Sequence, residues 1–145
     1  MKIPHYTKIH NRFKLNGFHF SAKELKEIGH DFIKEGKPYE MAIGDFIMDW
    51  MDKYDHINVK TSGSTGSSKI IKMYKQAMVS SALRTGDFFN VKIGDSALHC
   101  LPADFIAGKM MLVRAMILGL SLELVEPSSC PMENLYNTYD FVAMT

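Results

Sequence analysis

Through the first fifty-odd residues the apolar positions return at helical spacing. Ser21 precedes Glu24 at the interval of a capping box, and Leu25, Ile28, Phe32 and Ile33 fall on one face up to Gly36, which predicts an amphipathic helix. After Lys37-Pro38 the set Ile43, Phe46, Ile47, Trp50 and Tyr54 keeps the same period and predicts a second helix packed beside the first. Ahead of both, Arg12 to Phe20 alternates around Asn16-Gly17, a dipeptide that supplies the positive φ angles of a tight hairpin turn.

Beyond this point short apolar runs begin to alternate with helical stretches. Ile57 to Lys60 is a strand candidate, and order resumes at Lys69 to Tyr74 after an intervening small-residue segment. Gln76 to Phe89 suits a helix carrying Met78, Ala82 and Phe89, and Gly94-Asp95 marks a turn into the apolar run Ala97 to Leu101. Phe105 to Leu118 is apolar nearly all round, and Leu122 to Val125 and Phe141 to Met144 are brief runs expected of strands buried on both faces. The alternation implies an α/β architecture, a mostly parallel sheet flanked by helices. Residues 1–56 form a hairpin and two helices in this reading, and 57–145 the α/β part. The final run looks like a core strand with nothing after it, although such a sheet continues through a crossover helix, so the chain reads as truncated.

With 145 residues and 46% hydrophobic content the chain can bury the core of one domain. Its 17 basic and 16 acidic residues leave a formal charge of +1, so no broad field draws in nucleic acid or an anionic membrane. An anion must therefore be held locally. Cys100 and Cys130 sit in unlike contexts and read as reduced thiols, not as a disulfide scaffold or metal pair. Met1 to His10 lacks the apolar stretch of a signal peptide, and Phe105 to Leu124 contains Lys109, Arg114 and Glu123, which argues against a membrane span. A cytoplasmic location is the expectation.

The chemistry concentrates in Thr61-Ser62-Gly63-Ser64-Thr65-Gly66-Ser67-Ser68-Lys69. Glycines let backbone N–H groups converge on an anion, hydroxyls donate to phosphate oxygens, and Lys69 adds a point charge. A flexible linker has the same composition. A linker, however, need not be bracketed by two strand signals and closed by a lysine. A Walker-type loop requires Gly before the lysine and Ser or Thr after it, where this chain has Ser68 and Ile70.

The loop T-S-G-S-T-G-x-x-K resembles the phosphate-loop signature of the acyl-adenylate-forming superfamily, although family members usually carry Pro before the lysine and Gly after it. Ile93-Gly94-Asp95 and Leu101-Pro102-Ala103-Asp104-Phe105-Ile106-Ala107-Gly108 then resemble the family's G-D turn and its L-P-x-x-H-x-x-G segment, with Phe105 in place of the histidine. The likeness runs from about Ile57 to Thr145, and Ile106 to Arg114 looks most like bacterial o-succinylbenzoate–CoA ligase, an enzyme of menaquinone biosynthesis. It implies part of an N-terminal adenylate-forming domain and an AMP-forming acid–CoA ligase that uses ATP, Mg²⁺ and CoA.

By that resemblance Thr61, Ser62, Gly63, Ser64, Thr65, Gly66 and Lys69 hold the ATP phosphates, Lys69 offsets charge during catalysis, and Thr65 is the candidate Mg²⁺ contact. Phe105, Gly108, Lys109 and Arg114 line the acid site. Lys109 is placed to meet the second carboxylate of a dicarboxylate, whereas Arg114, five residues on, lies about 140° round the helix and is equally well read as a structural cation. The family's Mg-binding glutamate, ribose-binding aspartate and late lysine would lie past Thr145, so this chain alone is expected to be inactive. Expected partners are a small-molecule carboxylate, ATP and CoA, without nucleic acid or membrane; a homodimer is left open. His99 reads as a core histidine, the other five histidines as solvent-facing, and Met73, Met78, Met110 and Met111 as core packing. Three rival readings stay in view: another acyl-CoA synthetase, a non-catalytic nucleotide- or phosphate-binding module, and an interaction domain with Thr61 to Ser68 as a tether.

Overall fold

The computed structural model describes residues 2–61, 69–128 and 138–143. It is an α/β arrangement in which β1 (Lys14–Leu15), β5 (Ser121–Leu124), β4 (Ser96–His99) and β6 (Phe141–Val142) form one parallel sheet in the order β1-β5-β4-β6. A separate antiparallel ribbon joins β2 (His56–Lys60) to β3 (Ile70–Tyr74). Four helices, α1 (Ala22–Glu35), α2 (Pro38–Trp50), α3 (Lys75–Phe88) and α4 (Ile106–Leu118), complete the described chain.

The first two helices form where the pattern predicts. Ser21 Oγ accepts from the Glu24 amide at 3.2 Å while Glu24 Oε1 accepts from the Ser21 amide at 2.9 Å, so two donors that α1 cannot satisfy internally are paired reciprocally. The helices cross closely at Gly29 and Gly44: a Cβ on Gly44 would lie 2.6 Å from the Gly29 carbonyl oxygen. Only hydrogen fits there. The second helix stops short of Tyr54, contrary to the sequence reading. Asp52 Oδ1 accepts from the Tyr54 amide at 2.9 Å, an Asx turn that competes with further helix, and Tyr54 is left 54% exposed.

Asn16 and Gly17 adopt φ of 49° and 87°, and the amides and carbonyls of Leu15 and Phe18 exchange bonds of 2.9 and 3.1 Å. The predicted turn therefore forms, but its outgoing arm does not extend. The incoming arm, β1, pairs with β5 instead, and Asn16 Oδ1 accepts from the Leu124 amide at 2.8 Å. A parallel partner with a buried face outcompetes a short exposed arm ending in Phe18, which is 68% exposed.

The centre of the fold is α4, with Met111, Val113 and Ala115 at zero exposure. An all-round apolar helix must be enclosed, and here it packs on α3 and follows β4 back to the neighbouring β5. Gly119 ends it in the left-handed conformation, φ 74°. Met78, Met110 and Met111 are core residues and Met73 packs against the core, as expected. Phe89 does not join them: it caps α3 and is 59% exposed against Phe141. One cluster of buried residues draws on Phe13, Phe46 and Trp50 as well as Met111 and Leu122.

The ribbon is held at its base by a residue with no hydrophobic signal. Lys75, the first residue of α3, is fully buried. Its Nζ donates to Asp52 Oδ1 at 2.7 Å and to the Tyr54 carbonyl and lies 5.5 Å from the Tyr6 ring centroid, while its amide donates to the Asp55 carbonyl at 2.9 Å. Lys75→Met is expected to destabilise the protein by about 2–3 kcal/mol, less than a wholly buried pair would lose because Asp52 reaches solvent. Urea unfolding monitored at Trp50 measures the effect.

Candidate functional site

The ribbon carries the candidate phosphate loop at its tip. Its register runs from His56 opposite Tyr74 to Lys60 opposite Ile70, with Ile57 and Val59 buried and His56, Asn58 and Lys60 facing outward or partly so. Beyond the last pair, the Thr61 amide donates to the Lys69 carbonyl at 2.8 Å. Thr61 Oγ1 donates to that same carbonyl at 3.2 Å and accepts from the Lys69 amide at 3.3 Å. Thr61 and Lys69 thus close a neck. Ser62, Gly63, Ser64, Thr65 and Gly66 lie outside the described residues. Lys69 itself is exposed. A tether between two bodies leaves its ends free to separate; here the ends are held together by one antiparallel ladder of five residue pairs.

The candidate acid site is the turn from Cys100 to Lys109, at the carboxyl end of β4, where ligands of open α/β sheets usually bind. Phe105 is the N-cap of α4 and is 42% exposed, and its amide donates to the Pro102 carbonyl at 3.3 Å. Gly108 is required by close approach, since any Cβ there would fall on the Pro102 carbonyl. His99 Nε2 donates to the Gly108 carbonyl at 2.9 Å and ties β4 to the first turn of α4. Its Nδ1 has no partner among the described residues. Burial holds the imidazole below its ordinary value of 6.5, against the opposing pull of that Gly108 bond.

Lys109 is 9% exposed, and its ammonium is directed into the protein. Nζ donates to the Ala103 carbonyl at 2.8 Å and lies 5.7 Å from the Phe46 ring centroid. Burial pushes its pKa down, while the carboxylates of Asp49, Asp104 and Asp45 oppose that shift. Asp49 is in turn raised by burial. Arg114 is half-buried: Nη1 donates to Met111 Sδ at 3.5 Å, Nε has no partner among the described residues, and burial lowers its pKa. The structure therefore groups Phe105, Gly108 and Lys109 at one turn and leaves Arg114 among the side chains of α4.

Lys75 was invisible to periodicity. A cation in the first turn of a helix opposes the macrodipole, and that anomaly was the available signal that it needs anionic partners. The other histidines are exposed or half-exposed, as expected. Cys100 is a free thiol, raised by burial, with Sγ 3.4 Å from the Ala143 carbonyl; Cys130 lies outside the described residues. A cavity of about 460 Å³ is lined by Asn16, Ser96, Ser121, Glu123 and Tyr139, and one of about 340 Å³ by Tyr6, Lys23, Lys26, Trp50 and Asp52. Neither is lined by Thr61, Lys69, Phe105 or Lys109. Among the described residues no group of three His, Cys, Asp or Glu side chains could hold a metal, and no helix is long and apolar enough to cross a membrane.

No protein-family model and no curated protein sequence matches the chain. Among solved structures it is similar to a protein from Dyadobacter fermentans described as "acyl-CoA synthetase (AMP-forming)/AMP-acid ligase II-like", with 35% identity over 81% of this chain and a TM-score of 0.70. The chain spans 34% of the length of that structure. The likeness supports a relation to the AMP-forming acyl-CoA synthetases, and the observed α/β arrangement is that of part of such a fold.

Because the His99 pKa is lower in the folded state than in the unfolded chain, its contribution to stability is present above pH 6.5 and lost as the pH falls below it. His99→Gln retains an N–H for Gly108 without titrating. The stability difference between wild type and this variant is expected to shrink from pH 7 towards pH 5, as measured by urea unfolding at each pH.

Proposed function

We propose that this chain is part of an AMP-forming acid–CoA ligase and that Thr61 to Lys69 receives the polyphosphate of ATP. The likeness to a ligase-like structure supports the class, and the closed Thr61–Lys69 neck is the observation that carries the role of the loop. In the reaction, a carboxylate oxygen of the acid attacks the α phosphorus, the bond to the bridging oxygen breaks, and pyrophosphate leaves with the electron pair. The CoA thiolate then attacks the acyl carbonyl and AMP departs. Lys69 serves the first step, since its exposed ammonium at the neck can neutralise charge that builds on the β and γ phosphates. Phe105 offers an apolar wall to the acid.

ATP arrives as its Mg²⁺ chelate, and Thr65 is our candidate contact for the ion. The finer reading, o-succinylbenzoate as the acid, rests on the segment Ile106 to Arg114, and the buried position of Lys109 removes its proposed charge partner from the mouth of the site. Shape at Phe105 then has to do the selecting. The 145 residues alone are expected to bind nucleotide without forming a CoA thioester.

Limited proteolysis tests the role of the loop. Mg-ATP is expected to slow cleavage between Thr61 and Lys69, and Lys69→Ala to raise the nucleotide concentration needed about tenfold, the loss of one charge-assisted contact. Cleavage that is indifferent to Mg-ATP would identify the segment as a tether.

A further inference from the structure

We propose that Lys109 is a positioning residue: its buried ammonium, bonded to the Ala103 carbonyl and set over the Phe46 ring, fixes the turn that presents Phe105. The physical oddity is a buried lysine in the first turn of a helix that, Arg114 apart, carries no other charged or polar side chain. An apolar side chain of similar length would pack there without desolvating a charge. What it could not do is satisfy the Ala103 carbonyl, because Ala103 is 1% exposed and out of reach of water.

Three ties converge on the same few residues. Lys109 Nζ holds Ala103 from below at 2.8 Å, Gly108 lets the Pro102 carbonyl approach the helix backbone, and His99 anchors the Gly108 carbonyl from β4 at 2.9 Å. Between them the Pro102–Phe105 turn closes with its own 3.3 Å bond, and the Lys109 amide returns to the Phe105 carbonyl at 3.1 Å. The turn is thereby pinned at both ends, while Phe105 and Ile106 remain 42% and 37% exposed at the end of the sheet. The cation does its work through the backbone and keeps Asp45, Asp49 and Asp104 within its field, so it need not leave its seat to meet a ligand. That Phe105 then selects an acid by fit rest on the ligase reading above; that Lys109 sets the turn does not.

Amide hydrogen exchange followed by NMR on Lys109→Met separates the two. The amides of residues 105 and 109 are expected to exchange about tenfold faster than in wild type, the loss of roughly one hydrogen bond, while Val125, bonded to His99, and Lys14, bonded to Leu120, keep their rates. Unchanged exchange at 105 and 109, or uniform acceleration across all four amides, would overturn the proposal. Titration with benzoate and with o-succinylbenzoate, read at the Phe105 amide, supplies the second arm. Positioning predicts that the substitution weakens both acids alike; weakening of the dicarboxylate alone would make Lys109 a carboxylate reader and overturn the proposal. If neither acid moves that amide in wild type, the acid-site reading fails, and the exchange rates still decide whether Lys109 sets the turn.

Discussion

The ammonium of Lys75 has to be solvated entirely by protein, and the groups that solvate it come from two separate parts of the chain. Asp52 and the Tyr54 carbonyl lie between α2 and β2, and Tyr6 belongs to the N-terminal segment. The neighbouring Gln76 adds bonds of 3.2 Å from the Tyr6 amide and 2.8 Å to the Pro4 carbonyl. A two-stranded ribbon is marginal by itself. Its base is fixed because an unpaired buried charge would be far costlier than the ordering that pairing demands. The candidate phosphate loop is consequently borne on a stalk with an electrostatic root and a hydrogen-bonded neck, some five residue pairs apart.

The same device recurs at the second candidate site. Lys109 and Lys75 are both cations taken out of water that donate to a backbone carbonyl, Lys75 to the Asp52 carboxylate as well, and both hold turns next to exposed positions. Their placement explains how a fold whose sheet is only four strands wide among the described residues can carry irregular segments in defined positions. Apolar burial builds the framework, chiefly through α4 against α3 and the sheet. Directional bonds from buried cations then set the connections, which burial alone leaves undetermined.

Much of the framework was legible because its signals are local. The capping box at Ser21, the period of α1 and α2, and the apolar runs of β4, α4 and β5 depend on neighbours within a few residues. What failed was decided in one case by a distant partner and in the other by a competing local turn. The arm after Asn16-Gly17 lost to β5, more than a hundred residues away, and Tyr54 was drawn out of its helix by Asp52. At the candidate sites, residue types at Thr61, Lys69, Phe105 and Gly108 were enough to pick out the two segments as candidates. The direction of the Lys109 side chain was not, because a lysine near a pocket and a lysine beneath it look alike in sequence. Gly108 gave the better clue: it stands where Pro102 approaches too closely for any side chain.

The central claim is the proposal that the segment from Thr61 to Lys69 receives the polyphosphate of ATP. Phosphorus NMR of Mg-ATP titrated with the protein addresses it most directly. The account predicts that the β and γ resonances shift and broaden together and that Lys69→Ala suppresses the change. Resonances that stay in place, or that respond equally to the substituted protein, would contradict it.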